Sequence, residues 1–134
     1  MKVLVDTSVW SLALRRQRRV AGPQVEELAA LIDEGRVVMI GPIRQELLSG
    51  IRDRDAFTRL RDHLRAFDDE PLTSADFETA ADHFNSCRAR GVQGSNTDFL
   101  ICALAQRLDL PILTSDADFV RYAAFLPITL HGRA

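Results

Sequence analysis

At 134 residues the chain has room for one domain that buries roughly two-thirds of its unfolded surface, and little room for a second. Its 46% hydrophobic and 27% charged residues exclude a disordered polar chain, and its longest apolar runs, such as Phe99 to Ala105, are too short to span a bilayer. A net charge of −2 lacks the broad basic excess of many nucleic-acid-binding domains, so a polyanionic partner would have to be met by a local basic surface.

Lys2 to Val5 is a short Val-rich run that stops at Asp6-Thr7-Ser8, which predicts a buried strand entering a turn or helix start. The N-terminus enters that strand without a signal-peptide pattern, so a cytoplasmic protein is expected. Arg15, Arg16, Arg18 and Arg19 follow as a cluster, and all but one of the 17 basic residues are Arg, the exception being Lys2. The planar Arg fork suits phosphate, although a solvated loop would carry the same residues. Pro23 to Glu34 has helical apolar spacing, with Pro at its start and Gly35 just past its end. Val37 to Ile40 predicts a second buried strand, broken by Gly41-Pro42 before a helical segment that carries Glu46.

Asp55 to Phe67 predicts an amphipathic helix, with Phe57, Leu60, Leu64 and Phe67 on one face. Ser74 and Asp76 can cap the next helix, whose apolar face would hold Phe77, Ala80, Ala81 and Phe84 and which Gly91 and Gly94 would end. Asn96 can cap the run Phe99 to Leu108, apolar on most of its circumference and so expected at the centre of the molecule. Pro111 to Thr114 predicts a third strand leading to Ser115, Asp116 and Asp118; Phe119 to Phe125 reads as helix, and Pro127 to Leu130 as a closing strand. Strands alternating with helices, without repeats or a linker, predict a single α/β/α sandwich of three layers around a mainly parallel sheet.

Cys87 and Cys102 lack CxxC spacing and lie in helical patterns, so buried free thiols are expected. His63, His83 and His131 form neither HExxH nor an i, i+4 pair. The acids carry more information. Asp6, Glu46, Asp98 and Asp116 each fall where a predicted strand ends or a predicted helix begins, and such ends converge on one crevice in an open parallel sheet. Singly, each has a plain structural explanation: a helix-dipole partner at Asp98, a turn at Asp116 and Asp118, a solvated face at Glu46. Together, they would repel one another unless they share protons or hold a cation. Carboxylate oxygens suit Mg²⁺ or Mn²⁺, which activate water against phosphate esters. Thr7, Ser8, Asn96 and Ser115 are placed to donate hydrogen bonds to these carboxylates.

Four segments in order resemble the motifs of PIN-domain ribonucleases. These are Val5-Asp6-Thr7-Ser8-Val9-Trp10, a Glu after the second strand at Glu46, Asn96-Thr97-Asp98-Phe99-Leu100-Ile101, and Thr114-Ser115-Asp116-Ala117-Asp118-Phe119. The bare length is most similar to VapC-type toxins of toxin-antitoxin pairs. The resemblance implies one PIN-like domain over residues 1–134 and a Mg²⁺- or Mn²⁺-dependent endoribonuclease silenced by a VapB-like antitoxin, with a homodimer suggested. It makes Asp6, Glu46, Asp98 and Asp116 the acidic quartet. Asp6, Asp98 and Asp116 would ligate the metal, Glu46 would ligate or orient the attacking water, and Asp118 would be a less regular fifth acid; the Arg cluster then becomes a candidate RNA-binding surface.

Two metal-binding parallel-sheet classes fit less well. A signalling receiver uses a Lys at the end of a late strand, and the only Lys here is Lys2; a haloacid-dehalogenase-type phosphatase places Asp-x-Asp after its first strand, and here that spacing falls at Asp116 and Asp118. The rival from another functional class is a non-catalytic PIN-like module that holds RNA or a protein.

Overall fold

The computed structural model describes residues 1–14 and 22–132, so the Arg15, Arg16, Arg18 and Arg19 cluster lies outside the described residues. Among the described residues three short strands form an all-parallel sheet in the order β2-β1-β3. They are β1 (Val3–Val5), β2 (Val37–Val38) and β3 (Ile112–Leu113). Val3 and Leu4 of β1 pair with Val37 and Val38, while Leu4 and Val5 pair with Ile112 and Leu113. β1 is central and wholly buried, which is why its sequence is continuously apolar rather than alternating.

Among the described residues seven helices flank the sheet: α1 (Thr7–Ala13), α2 (Pro23–Asp33), α3 (Gly41–Leu48), α4 (Arg54–Leu64), α5 (Ser74–Ala89), α6 (Asn96–Leu108) and α7 (Asp118–Ala123). This is the expected α/β/α architecture with two corrections to its sheet. The strands are shorter than their apolar runs, and Pro127 to Leu130 adds no strand, contributing only a parallel bridge between Leu130 and Ile112. Likewise, Met39 leaves β2 to bridge Asp69. Burial alone makes a run apolar; strand length depends on partners that stay alongside.

α6 is the central helix, with every residue from Phe99 to Ala105 buried. Its N-cap is Ser95, whose Oγ accepts the Asp98 N–H at 3.0 Å, and Asn96 is the first helical residue instead of the cap. α5 is capped one residue earlier than predicted. Thr73 accepts the Asp76 N–H at 3.2 Å, and the Asp76 carboxylate accepts the Thr73 N–H at 2.9 Å. The buried face of α5 is correspondingly Asp76, Ala80, His83 and Cys87, while Phe77 is 51% exposed and Ala81 is exposed. His83 bonds Gln106 of α6 at 2.9 Å, and both cysteines are buried free thiols.

Asp76 also accepts two bonds from Arg107 of α6, at 2.7 and 2.9 Å. That pairing, aided by the Thr73 amide and hydroxyl against the opposing effect of burial, holds the Asp76 carboxyl below the usual range. Its contribution to stability is therefore present above the unfolded-state value of about 3.9 and lost as pH falls through the lower folded value. Asp76→Asn should lower the urea midpoint near neutral pH, and the difference from the parent chain should close at the acid end. A deficit of equal size at both ends would assign the effect to packing.

Candidate active site

The acids reach one cavity because four different elements end on the same side of the sheet. β1 delivers Asp6 at its C-terminal edge, where it is also the N-cap residue of α1. β3 ends just before Thr114 to Asp116, α3 follows β2 and carries Glu46, and the first turn of α6 carries Asp98. The cavity of ≈ 600 Å³ is lined by Asp6, Glu46, Asp98 and Asp116, with Thr7, Ser8 and Thr97 among the neutral side chains around them.

Asp6 is the most enclosed of the four, at 3% exposure. Its Oδ2 accepts Ser8 Oγ–H at 2.7 Å and Thr114 Oγ1–H at 2.9 Å. Each hydroxyl thus spends its single proton on the carboxylate, so the 3.4 Å approach between the two hydroxyl oxygens is a contact without a proton of its own. The same hydroxyls accept backbone N–H groups, Ser115 N–H on Ser8 at 3.1 Å and Asp116 N–H on Thr114 at 2.9 Å. The segment after β3 is thereby tied to the start of α1. Burial pushes the Asp6 carboxyl up, and the Ser8 and Thr114 bonds oppose that rise.

Asp98 is half-buried and accepts the Tyr122 hydroxyl at 2.7 Å. Its carboxyl is pushed up by burial first, with the charges of Asp6 and Asp116 adding to the effect and the Tyr122 and Ser95 bonds opposing it. Glu46 is exposed, and Thr7 Oγ1–H donates to it at 2.7 Å. Asp116 Oδ1 accepts the Asp118 N–H at 2.9 Å.

Four carboxylates therefore line a cavity to which the described residues contribute no basic side chain. Charge of one sign, partly withdrawn from water and met only by neutral hydroxyls and amides, suits a hard cation. Among the described residues no three His, Cys, Asp or Glu side chains stand close enough to enclose an ion by themselves. An ion held there would therefore need waters to complete its coordination.

The remaining candidates are placed less uniformly. Thr7 and Ser8 bond cavity acids. Asn96 instead lines a separate apolar cavity with Phe77 and Phe84, because Ser95 has taken the capping position and Asn96 starts the helix one step around. Ser115 contributes its backbone N–H to Ser8, while the side chain that bonds Asp6 belongs to Thr114. Alternation along the extended segment explains the exchange, since neighbouring side chains point to opposite faces. Asp118 does not line the cavity; it opens α7 and pairs with Arg121 at 3.5 Å. Tyr122 was not expected at the site. The only sequence signal for it is that it is the chain's single tyrosine, one helical turn after an acid.

A family model described as PIN domain matches residues 3–125. The chain is 34% identical over 119 residues to VapC ribonuclease Mb1587 of Mycobacterium bovis, covering 87% of this chain and 88% of that protein. It matches Ribonuclease VapC11 of Mycobacterium tuberculosis with the same figures. Among solved structures, FitAcB from Neisseria gonorrhoeae superimposes with a TM-score of 0.72 at 21% identity, over 96% of this chain and 95% of that one. VapBC2 from Rickettsia felis, bound to a DNA fragment from their promoter, superimposes with a TM-score of 0.74 at 15% identity, over 97% of each chain.

Proposed function

Since the chain belongs to the PIN-domain family, and within it to the VapC ribonucleases, we propose that it is the toxin of a toxin-antitoxin pair and cuts RNA as a Mg²⁺- or Mn²⁺-dependent endoribonuclease. The observation that carries the reading is the single cavity into which Asp6, Glu46, Asp98 and Asp116 converge from separate elements. A phosphodiester is an anion, and a cavity of uncompensated carboxylates would repel it without a cation.

Asp6, Asp98 and Asp116 would hold the ion, which when bound lowers the pKa of a water and neutralises charge on the phosphate oxygens. The chain's own residues prepare that place. Ser8 and Thr114 fix the Asp6 carboxylate, Tyr122 fixes Asp98, and the Asp118 amide steadies Asp116. Glu46, exposed at the cavity and held through one oxygen by Thr7, has its other oxygen available to ligate or to orient the attacking water. The Arg15, Arg16, Arg18 and Arg19 cluster belongs to this reading as an RNA-binding surface, where guanidinium forks would meet backbone phosphates. A VapB-like antitoxin is the proposed partner, supported by relatives named VapC and by superposition on VapBC2. A cytoplasmic homodimer completes the reading; no helix among the described residues is long and apolar enough to cross a membrane.

The reading is tested by incubating total bacterial RNA with the purified chain and Mn²⁺, Mg²⁺ or chelator, beside Asp98→Asn, and sequencing the fragment ends. Discrete metal-dependent cuts that vanish in Asp98→Asn are expected. Folded protein that makes no cuts with either metal would favour a PIN-like module that binds without cleaving.

A further inference from the structure

Tyr122 is fully buried, and a buried phenol needs a hydrogen-bond partner. A neutral partner is at hand in the Gln93 carbonyl, but it lies 3.5 Å away, at the limit of a hydrogen bond. The hydroxyl instead reaches Asp98 Oδ2 at 2.7 Å, a short bond to a carboxylate that lines the acidic cavity. The ring that carries it has little freedom. Its centroid lies 5.0 Å from Phe99 and 5.1 Å from Phe119, and Phe99 is braced in turn by Phe84 at 5.6 Å.

Gly94 supplies a second, independent sign that this hydroxyl has a reserved place. A Cβ there would stand 2.7 Å from Tyr122 Cζ, closer still to its oxygen, and 3.1 Å from Phe99. Helix α7 thus holds Tyr122 against α6, while α6 holds Asp98 through the Ser95 cap at its first turn. Carboxylate and phenol are both anchored from behind.

We infer that Tyr122 is a positioning residue that commits one oxygen of Asp98 to the protein and so tunes the acidic cavity toward a small octahedral cation, Mg²⁺ or Mn²⁺, against Ca²⁺. A carboxylate with one oxygen engaged by a phenol has one oxygen to offer. Mg²⁺ is satisfied by single oxygens and water in strict octahedral geometry, whereas Ca²⁺ takes more ligands and readily accepts both oxygens of one carboxylate. Removing the hydroxyl frees the second oxygen and loosens the first. The inference rests on the metal-site reading above and adds to it a basis for choosing among ions.

The test is Mn²⁺ and Ca²⁺ binding to the full chain, followed by paramagnetic resonance of free Mn²⁺ and by calorimetry, in the parent, Asp98→Asn and Tyr122→Phe. The parent should bind Mn²⁺ and Asp98→Asn should not. Parent protein without Mn²⁺ binding, or binding indifferent to Asp98→Asn, would remove the cavity as the metal site and the inference with it. Given a site, Tyr122→Phe should weaken Mn²⁺ roughly 10–100-fold and Ca²⁺ much less. An unchanged ratio of the two affinities would overturn the role of Tyr122 while leaving the cavity's role standing.

A second measurement needs no variant. The chain has one tyrosine, so ¹³Cζ-labelled tyrosine gives one assigned resonance, which Mg²⁺ should move as Asp98 takes up the ion. A resonance that stays fixed at saturating Mg²⁺ would also overturn the inference.

Discussion

Asp6→Asn should lower RNA cleavage by at least ~100-fold, the upper end of what losing a mere supporting contact to a metal ligand costs, and should raise the stability of the chain in chelator. Both effects follow from the same enclosed carboxylate. Asp6 is 3% exposed, and one of its oxygens accepts both Ser8 and Thr114. An Asn carbonyl can take that position and both bonds, so the shape survives while an amide replaces the oxygen available to a cation. Burial holds the Asp6 carboxyl above its unfolded-state value of about 3.9, which means that ionising it costs the folded state more than the unfolded one. Stability tied to this group is therefore complete below that value and is lost as pH rises through the folded value. The gain in Asp6→Asn should appear in the urea midpoint at neutral pH and close in acid, where Asp6 is protonated in both states. Wild-type cleavage by Asp6→Asn in Mg²⁺ would sink the proposed site, and a gain undiminished in acid would reassign the stability effect to packing.

Gly94→Ala should destabilise the fold by about 1–3 kcal/mol, the usual range for overfilling a packed interior, and should also disturb the cavity a short distance away. The new methyl would overlap Tyr122 at its hydroxyl end and crowd Phe99, and neither ring is a flexible chain end that can swing clear. Relief requires α7 to shift or the hydroxyl to leave Asp98. Cleavage should therefore fall along with the melting temperature. Because the worst overlap is with the hydroxyl oxygen, Gly94→Ala and Tyr122→Phe should combine with less than the sum of their separate losses, while Cζ keeps the relief partial. Additive losses in denaturant melts of the two single variants and the double variant would show that the hydroxyl is not what the methyl meets.

The course of the chain was largely legible from apolar periodicity. Val3 to Val5, Phe99 to Ala105 and the Pro23 and Gly35 boundaries stand out because burial on both faces of a strand, or around a whole helix, leaves an unbroken apolar run. Capping was read one residue late at Thr73 and Ser95, where several cap-competent residues sit side by side and only backbone geometry chooses among them. The buried face of α5 was misread because Asp76 and His83 are polar in sequence and become buried only through Arg107 and Gln106 of another helix. The four acids that line the cavity could be named in advance, three because a carboxylate just past a buried strand or in the first turn of a helix has a topological address, and Glu46, the sixth of the eight residues of α3, only by its place after the second strand. Their supports could not.

What the sequence by itself determined is the alternation of strands and helices, the parallel sheet it implies, and the chemical type of the cavity: carboxylates gathered from separate elements. Those are properties of local pattern and of residue kind. Tertiary structure alone decided that Thr114 and not Ser115 serves Asp6, and that Tyr122 closes on Asp98 across the space left by Gly94. Each of these is a hydrogen bond of 2.9 Å or less between groups that chain order does not bring together, and a hydrogen bond's strong dependence on distance and angle makes such choices a matter of packing.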